Sequence, residues 1–220
     1  MEEDQVHWPN KRNRPFGRQR EPSQRQPRSA SSSDADRFFE HLHDEAIELA
    51  YRDGYYFAAE NLAYDLLSAD GLKVAQPERE FYGVRLPLLY CYRHYLELAL
   101  KDQIDLWSRV SNLKRDDRLD TEHGLMRLWN EVKRHQSRAT SNAEKSDETI
   151  ASVERCLNEF HQYDPTSQSF RYRRGVTGNT HDDQIPETDL CKLIRTMKGL
   201  KNFFDVQHDV VEQIEANRND

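Results

Sequence analysis

Cysteine is scarce in this 220-residue chain, and its placement matters more than its number. Cys91, Cys156 and Cys191 are odd in count, far apart, and form no C-x-x-C pair. That pattern excludes a disulfide scaffold and a zinc knuckle and suits a reducing, cytoplasmic compartment. Long apolar runs are missing too. No stretch approaches the ~18 residues that a membrane-spanning helix needs, and no basic-then-apolar leader opens the sequence. Apolar content is low, with 36% hydrophobic against 32% charged residues and a mean hydropathy of −1.00. A chain of this composition cannot be core throughout. No Asn-x-Ser/Thr sequon occurs.

Charge locates the boundary. Residues 1–33 carry seven basic and four acidic side chains, net +3, within a chain whose total is −7, so the remainder is −10. The same stretch holds Pro9, Pro15, Pro22 and Pro27 and ends in Ser29-Ala30-Ser31-Ser32-Ser33. With so few aliphatic residues it cannot offset an ordering cost of about 1–2 kcal/mol per residue, and the expectation is a disordered arm. Its arginines could neutralise phosphates, but Trp8 and Phe16 are the only aromatic residues that could stack on bases, and the acidic body opposes a polyanion.

From residue 34 to 220 the pattern is helical. Apolar positions recur at three- and four-residue steps from Phe38 to Ala50, and again after Gly54, through Phe57, Ala58, Leu62 and Leu66. Gly54 is expected to divide two helices. Pro87 suits the first turn of a long helix ending near Ser108, with a core stripe of Leu89, Tyr92, Leu96, Ala99, Gln103, Leu106 and Trp107. Further helices are expected over 122–138 and 147–163, and from Thr188 or Asp189 to about Ile214. A short hairpin or ordered loop is expected within 166–187, where Phe170-Arg171-Tyr172 alternates and Gly175 and Gly178 follow. The fold class is all-α, an antiparallel bundle of five to six helices.

Motifs for phosphate loops, nucleophile elbows, zinc proteases and calcium loops are lacking, and neither a cofactor nor a metal is expected. His41 and His43 lie two apart, and on a helix such positions diverge by about 200°, so they do not converge on an ion. The third helix carries more. Arg93, Glu97 and Lys101 fall at four-residue steps and form one polar stripe, with His94 beside it. In a central helix these charges need partners, and His123, Asp164 and Arg171 are the candidates from other segments. The stripe reads either as an internal network or as a ligand or reaction site.

The string Arg93-His94-Tyr95-Leu96-Glu97-Leu98-Ala99-Leu100-Lys101 is similar to the RH-x-x-E-L-x-L-K helix of bacterial HEPN-like helical proteins. So are His123-Gly124-Leu125 with Leu128-Trp129, and Asp164-Pro165-Thr166-Ser167 followed by Phe170-Arg171-Tyr172. The resemblance covers about residues 84–205. It implies an antiparallel bundle that often dimerises. The wider superfamily holds metal-independent endoribonucleases of toxin–antitoxin and phage-defence systems, and inactive relatives.

The catalytic signature that the resemblance implies is an Arg, usually followed by a polar residue, with a His after four to six intervening positions. The His would move protons and the Arg would stabilise phosphoryl charge. Arg37 with His43, Arg118 with His123, Arg155 with His161 and Arg174 with His181 all fit this spacing. None has a polar residue directly after the Arg. By its place before the last helix the pair Arg174 and His181 is the best match. Two function classes therefore stand: a non-catalytic module that dimerises or binds a protein partner, and an endoribonuclease acting on RNA.

Overall fold

The computed structural model describes residues 34–69, 81–140, 147–172 and 189–219. Among them are five α-helices and no strand: α1 (Asp34–Ala69), α2 (Leu86–Ser111), α3 (Leu125–Ala139), α4 (Asp147–Tyr163) and α5 (Leu190–Asn219). A π-helical turn, Phe81–Arg85, leads into α2, and a 3-10 turn, Asp117–Thr121, precedes α3. The chain divides into two units at Glu45. Of the first, the opening of α1 is described; the core and the candidate site belong to the second. The expected arm, 1–33, lies outside the described residues.

Helix α2 is the centre of the core. Its whole expected stripe, from Leu89 to Trp107, is buried, and Arg93, Tyr95, Glu97 and Ile104 are buried beside it. Pro87 sits in its first turn, and Asn112, at φ 56°, ends it in the left-handed region that asparagine tolerates. Polar ties fix its neighbours. Gln103 Nε2 donates to the Phe204 carbonyl of α5 at 3.1 Å, and Ser111 Oγ pairs with His135 Nδ1 of α3 at 2.7 Å. Gln136 Nε2 of α3 donates to Gln207 Oε1 of α5 at 3.1 Å.

Helix α1 departs from the expected pair of helices by running without a break through Gly54. The glycine faces open space, so its backbone freedom costs only about 1 kcal/mol relative to alanine. Interactions on both sides of it outweigh that. Arg52 NH1 donates to Asp102 of α2 at 2.7 Å, and Tyr56 packs against the rings of Tyr92 and Tyr95. The buried face of α1 is Arg52, Tyr56, Ala59, Ala63 and Leu66. Phe57, expected in the core, is instead 57% exposed, because one residue's rotation of about 100° turns it away from Tyr56. Ile47 is exposed as well.

Helix α3 starts three residues later than the pattern indicates. Glu122 is spent on the turn: its Oε1 accepts from the backbone N–H groups of His123 and Gly124 at 3.1 and 2.8 Å. A Cβ on Gly124 would come within 2.9 Å of that oxygen and would push the Glu122 carboxylate off the turn. Helix α4 spans the expected residues, and Asp189 caps α5 by accepting from Lys192 N at 3.0 Å. Residues 164–172 form turns, as the ordered-loop alternative has it and not the hairpin; the rest of that expected hairpin or loop lies outside the described residues.

Candidate functional site

Three segments meet at the polar stripe of α2. Arg93 is fully buried, and each of its three guanidinium nitrogens is engaged. Nε donates to the Asp164 carbonyl at 3.2 Å, NH1 to Glu97 Oε2 at 3.3 Å, and NH2 to the His123 carbonyl. The turns carrying Asp164 and His123 are thereby tied to the middle of α2. Burial drives the Arg93 pKa down, with the Glu97 charge opposing it, yet a guanidinium stays charged at neutral pH.

Glu97, 2% exposed, is the hub. Its Oε1 accepts from Lys101 Nζ at 3.0 Å and lies 2.9 Å from His123 Nδ1, while Oε2 takes the Arg93 bond. Burial pushes this carboxyl's pKa up, but the hydrogen bonds from His123 and Lys101 and the nearby cations outweigh it and hold the group below the usual carboxylate value. Lys101 also donates to the Asp120 carbonyl at 3.0 Å. The His123 side chain, 52% exposed, is the outer edge of the network.

Asp164 organises the turn after α4. Its Oδ1 accepts from Gln168 N at 2.7 Å and Ser169 N at 3.0 Å, and Oδ2 is buried without a hydrogen bond. Ser167 takes φ 60° within this turn, and its carbonyl accepts from Arg171 Nε at 2.5 Å. Arg171 makes no hydrogen bond to Arg93 or Glu97. Its guanidinium carbon stands 5.4 Å from the Tyr90 ring centroid and 5.6 Å from that of Tyr172.

His94 is turned away from the hub. It stacks on Tyr90, with centroids 5.6 Å apart and planes 13° apart, and Tyr55 meets it edge-on at 4.4 Å. Burial depresses its pKa, and the cations Arg171, Arg93 and Lys101 add to that against the pull of Glu97. The expected partners of Arg93 and Glu97, His123 and Asp164, are thus brought together, while His94 and Arg171 join a separate aromatic group.

The Arg/His pairs do not assemble into a site among the described residues. Arg118 is taken by Asp116 at 2.8 Å, and His123 by Glu97. Arg155 bonds Ser152 on the surface of α4, and His161 lies six residues on, about 120° around the helix. The Arg37 and His43 side chains, and Arg174 and His181 altogether, lie outside the described residues. His41 also falls where side chains are not described.

Two groups escaped the sequence. The tyrosines around His94 were signalled only by the four-residue spacings Tyr51–Tyr55 and Tyr90–His94. The second is a half-buried ionic cluster. Arg52 bonds Asp53, Asp102 and Asp205, while Lys201 bridges Asp53 and Asp205 at 3.1 and 2.9 Å. No pattern marks Arg52 as buried.

A cavity of about 460 Å³ lies elsewhere, lined by Leu89, Cys156, Phe160, Phe170 and Leu193 among others. Burial pushes the Cys156 thiol up, which favours its protonated form. Among the described residues no group of three or more His, Cys, Asp or Glu gathers to hold a metal ion, and no helix is long and apolar enough to cross a membrane. Compared with protein-family models, curated proteins and solved structures, the chain matches none.

Proposed function

We propose that the chain is a HEPN-like helical module that works by binding, as a homodimer or with a protein partner in the cytoplasm, and not by cutting RNA. The observation that carries this reading is Arg93. It is wholly buried, with all three nitrogens spent on Glu97 and two backbone carbonyls, so it has no outward face for a phosphate. Two turns hang on it, which is the work of a brace. Tyr51, Phe57 and Tyr64 of α1, each more than half exposed, supply apolar surface for a partner. The free thiols fit a reducing compartment, and a defence or toxin–antitoxin setting fits the resemblance.

A second reading rests on the Glu97–His123 pair. A buried carboxylate holding one imidazole nitrogen while the ring stays half exposed is the arrangement of a general base. The test is incubation of labelled single-stranded RNA with the folded protein in EDTA. Wild type, His123→Ala, Arg174→Ala and His181→Ala are compared. No cleavage by wild type is expected. Cleavage leaving cyclic-phosphate ends and lost in His123→Ala would establish the second reading; loss in Arg174→Ala and His181→Ala would establish the superfamily site.

A further inference from the structure

We infer that the cavity between α4 and α5 is a binding site for a free α-amino acid with an apolar side chain. Its ammonium would pair with Glu159, its carboxylate with Lys192, and its side chain would rest on Leu89, Phe160, Phe170 and Leu193. The inference goes beyond the binding-module reading, and its failure leaves that reading intact.

Two helices present one face each to this space. Cys156, Glu159, Phe160 and Tyr163 recur at three- and four-residue steps along α4, and Asp189, Lys192, Leu193 and Thr196 do so across the start of α5. Leu89 of α2 and Phe170 of the turn after α4 complete the lining. At about 460 Å³ the space falls within the roughly 300–1,000 Å³ of small-molecule sites. Leu89, Phe160 and Phe170 are buried, so the floor is apolar, and releasing water from it favours an apolar group.

The charges at the rim set the chemistry. Asp189 is committed to the fold: its Oδ1 accepts from Lys192 N at 3.0 Å, and its charge sits at the positive end of the α5 dipole. Glu159 and Lys192 remain, one on each helix, and neither side chain has a hydrogen bond or ion pair with another described residue. Both charges act on the Cys156 thiol, which brings them within reach of one point in the cavity. Arg155, the other charge that acts there, is turned to Ser152 Oγ at 3.0 Å.

This arrangement selects a zwitterion. An amine alone would leave Lys192 without a partner, and a carboxylate alone would do the same to Glu159. An α-amino acid carries both signs and an apolar group on one carbon, so it complements both walls and the floor at once. Glu159 and Lys192 are exposed, so their long side chains can close on such a ligand without moving the helices.

The experiment titrates the full chain with L-phenylalanine and L-leucine by calorimetry. Phenethylamine and 3-phenylpropionate, each lacking one of the two charges, form parallel arms. Glu159→Gln, Lys192→Gln and the control Lys198→Gln alter exposed side chains, which spares the core. Alkylation of Cys156 by N-ethylmaleimide, read by peptide mass spectrometry against the exposed Cys191, locates the ligand. Saturable amino-acid binding is expected, about tenfold or more weaker for each single-charge analogue, weakened by a similar factor in Glu159→Gln and Lys192→Gln, and unchanged in Lys198→Gln. Glu159→Gln should leave phenylpropionate affinity as it is, and Lys192→Gln that of phenethylamine. Cys156 should be protected and Cys191 not. Three results would each overturn the assignment: no binding of either amino acid at millimolar concentration, binding indifferent to Glu159→Gln or to Lys192→Gln, or binding that leaves Cys156 alkylation unchanged.

Discussion

Glu97→Gln isolates the energetic role of the buried stripe. The substitution keeps volume and one carbonyl oxygen but removes the only carboxylate bonded to Arg93 among the described residues. Arg93, wholly buried, is then left as a cation with two backbone carbonyls for partners. Breaking a buried pair in this way costs about 3–5 kcal/mol. With an m-value of roughly 2 kcal/mol/M, the urea midpoint falls by about 1.5–2.5 M. Urea denaturation followed by circular dichroism reads this directly. The Glu131–Arg134 pair, whose arginine is exposed, supplies the comparison: Arg134→Gln should cost no more than about 1 kcal/mol. The double variant Arg93→Leu/Glu97→Leu should lose less than the two single changes summed, because no fully buried charge is left without its partner, Lys101 being partly exposed and still bonded to the Asp120 carbonyl. A Glu97→Gln protein within about 0.5 kcal/mol of wild type, at unchanged m, would refute the reasoning.

Further expectations follow from the same geometry. Acidification should destabilise the protein below the unfolded Glu97 value of 4.5, because the folded carboxyl titrates lower and its contribution is lost as pH falls through the folded value; Glu97→Gln should flatten that part of a stability–pH curve. His94, held below its ordinary 6.5 by burial, resists protonation in the folded state. Stability should therefore fall as pH drops below 6.5, and His94→Phe should reduce that slope. Asp164→Ala strips the acceptor from two turn N–H groups and should cost about 1–3 kcal/mol by thermal or urea unfolding. Gly54→Ala, in an open position of a continuous helix, should stabilise by about 0.5–1 kcal/mol and raise the melting temperature.

Much of the fold was legible because α2 has a single unambiguous face. Its apolar residues recur at helical steps, and the intervening Arg93–Glu97–Lys101 spacing announced a second, polar stripe that needed partners. His123 and Asp164 were identified as two of those partners, although Arg93 uses their carbonyls rather than their side chains. Helix α1 was harder to read. Apolar residues occur on several sides of it, so the pattern did not distinguish Tyr56 from Phe57, and its core face includes an arginine that periodicity counts as solvent-facing. Gly54 was over-read as a stop, since a glycine's helix penalty is small beside the Arg52 ion pairs and the tyrosine packing around it. The aromatic group around His94 was hidden for another reason. It joins residues about forty and eighty positions apart, and no local pattern encodes which rings will meet.

The most direct measurement is the ¹⁵N–¹H spectrum of the Arg93 Nε–H, assigned by loss in an Arg93 variant and recorded with and without single-stranded RNA. A brace predicts a sharp signal in slow exchange with water at neutral pH, unmoved by RNA. A signal that exchanges rapidly in the folded protein, or shifts as RNA saturates it, would place Arg93 in reach of substrate and contradict the internal-brace account.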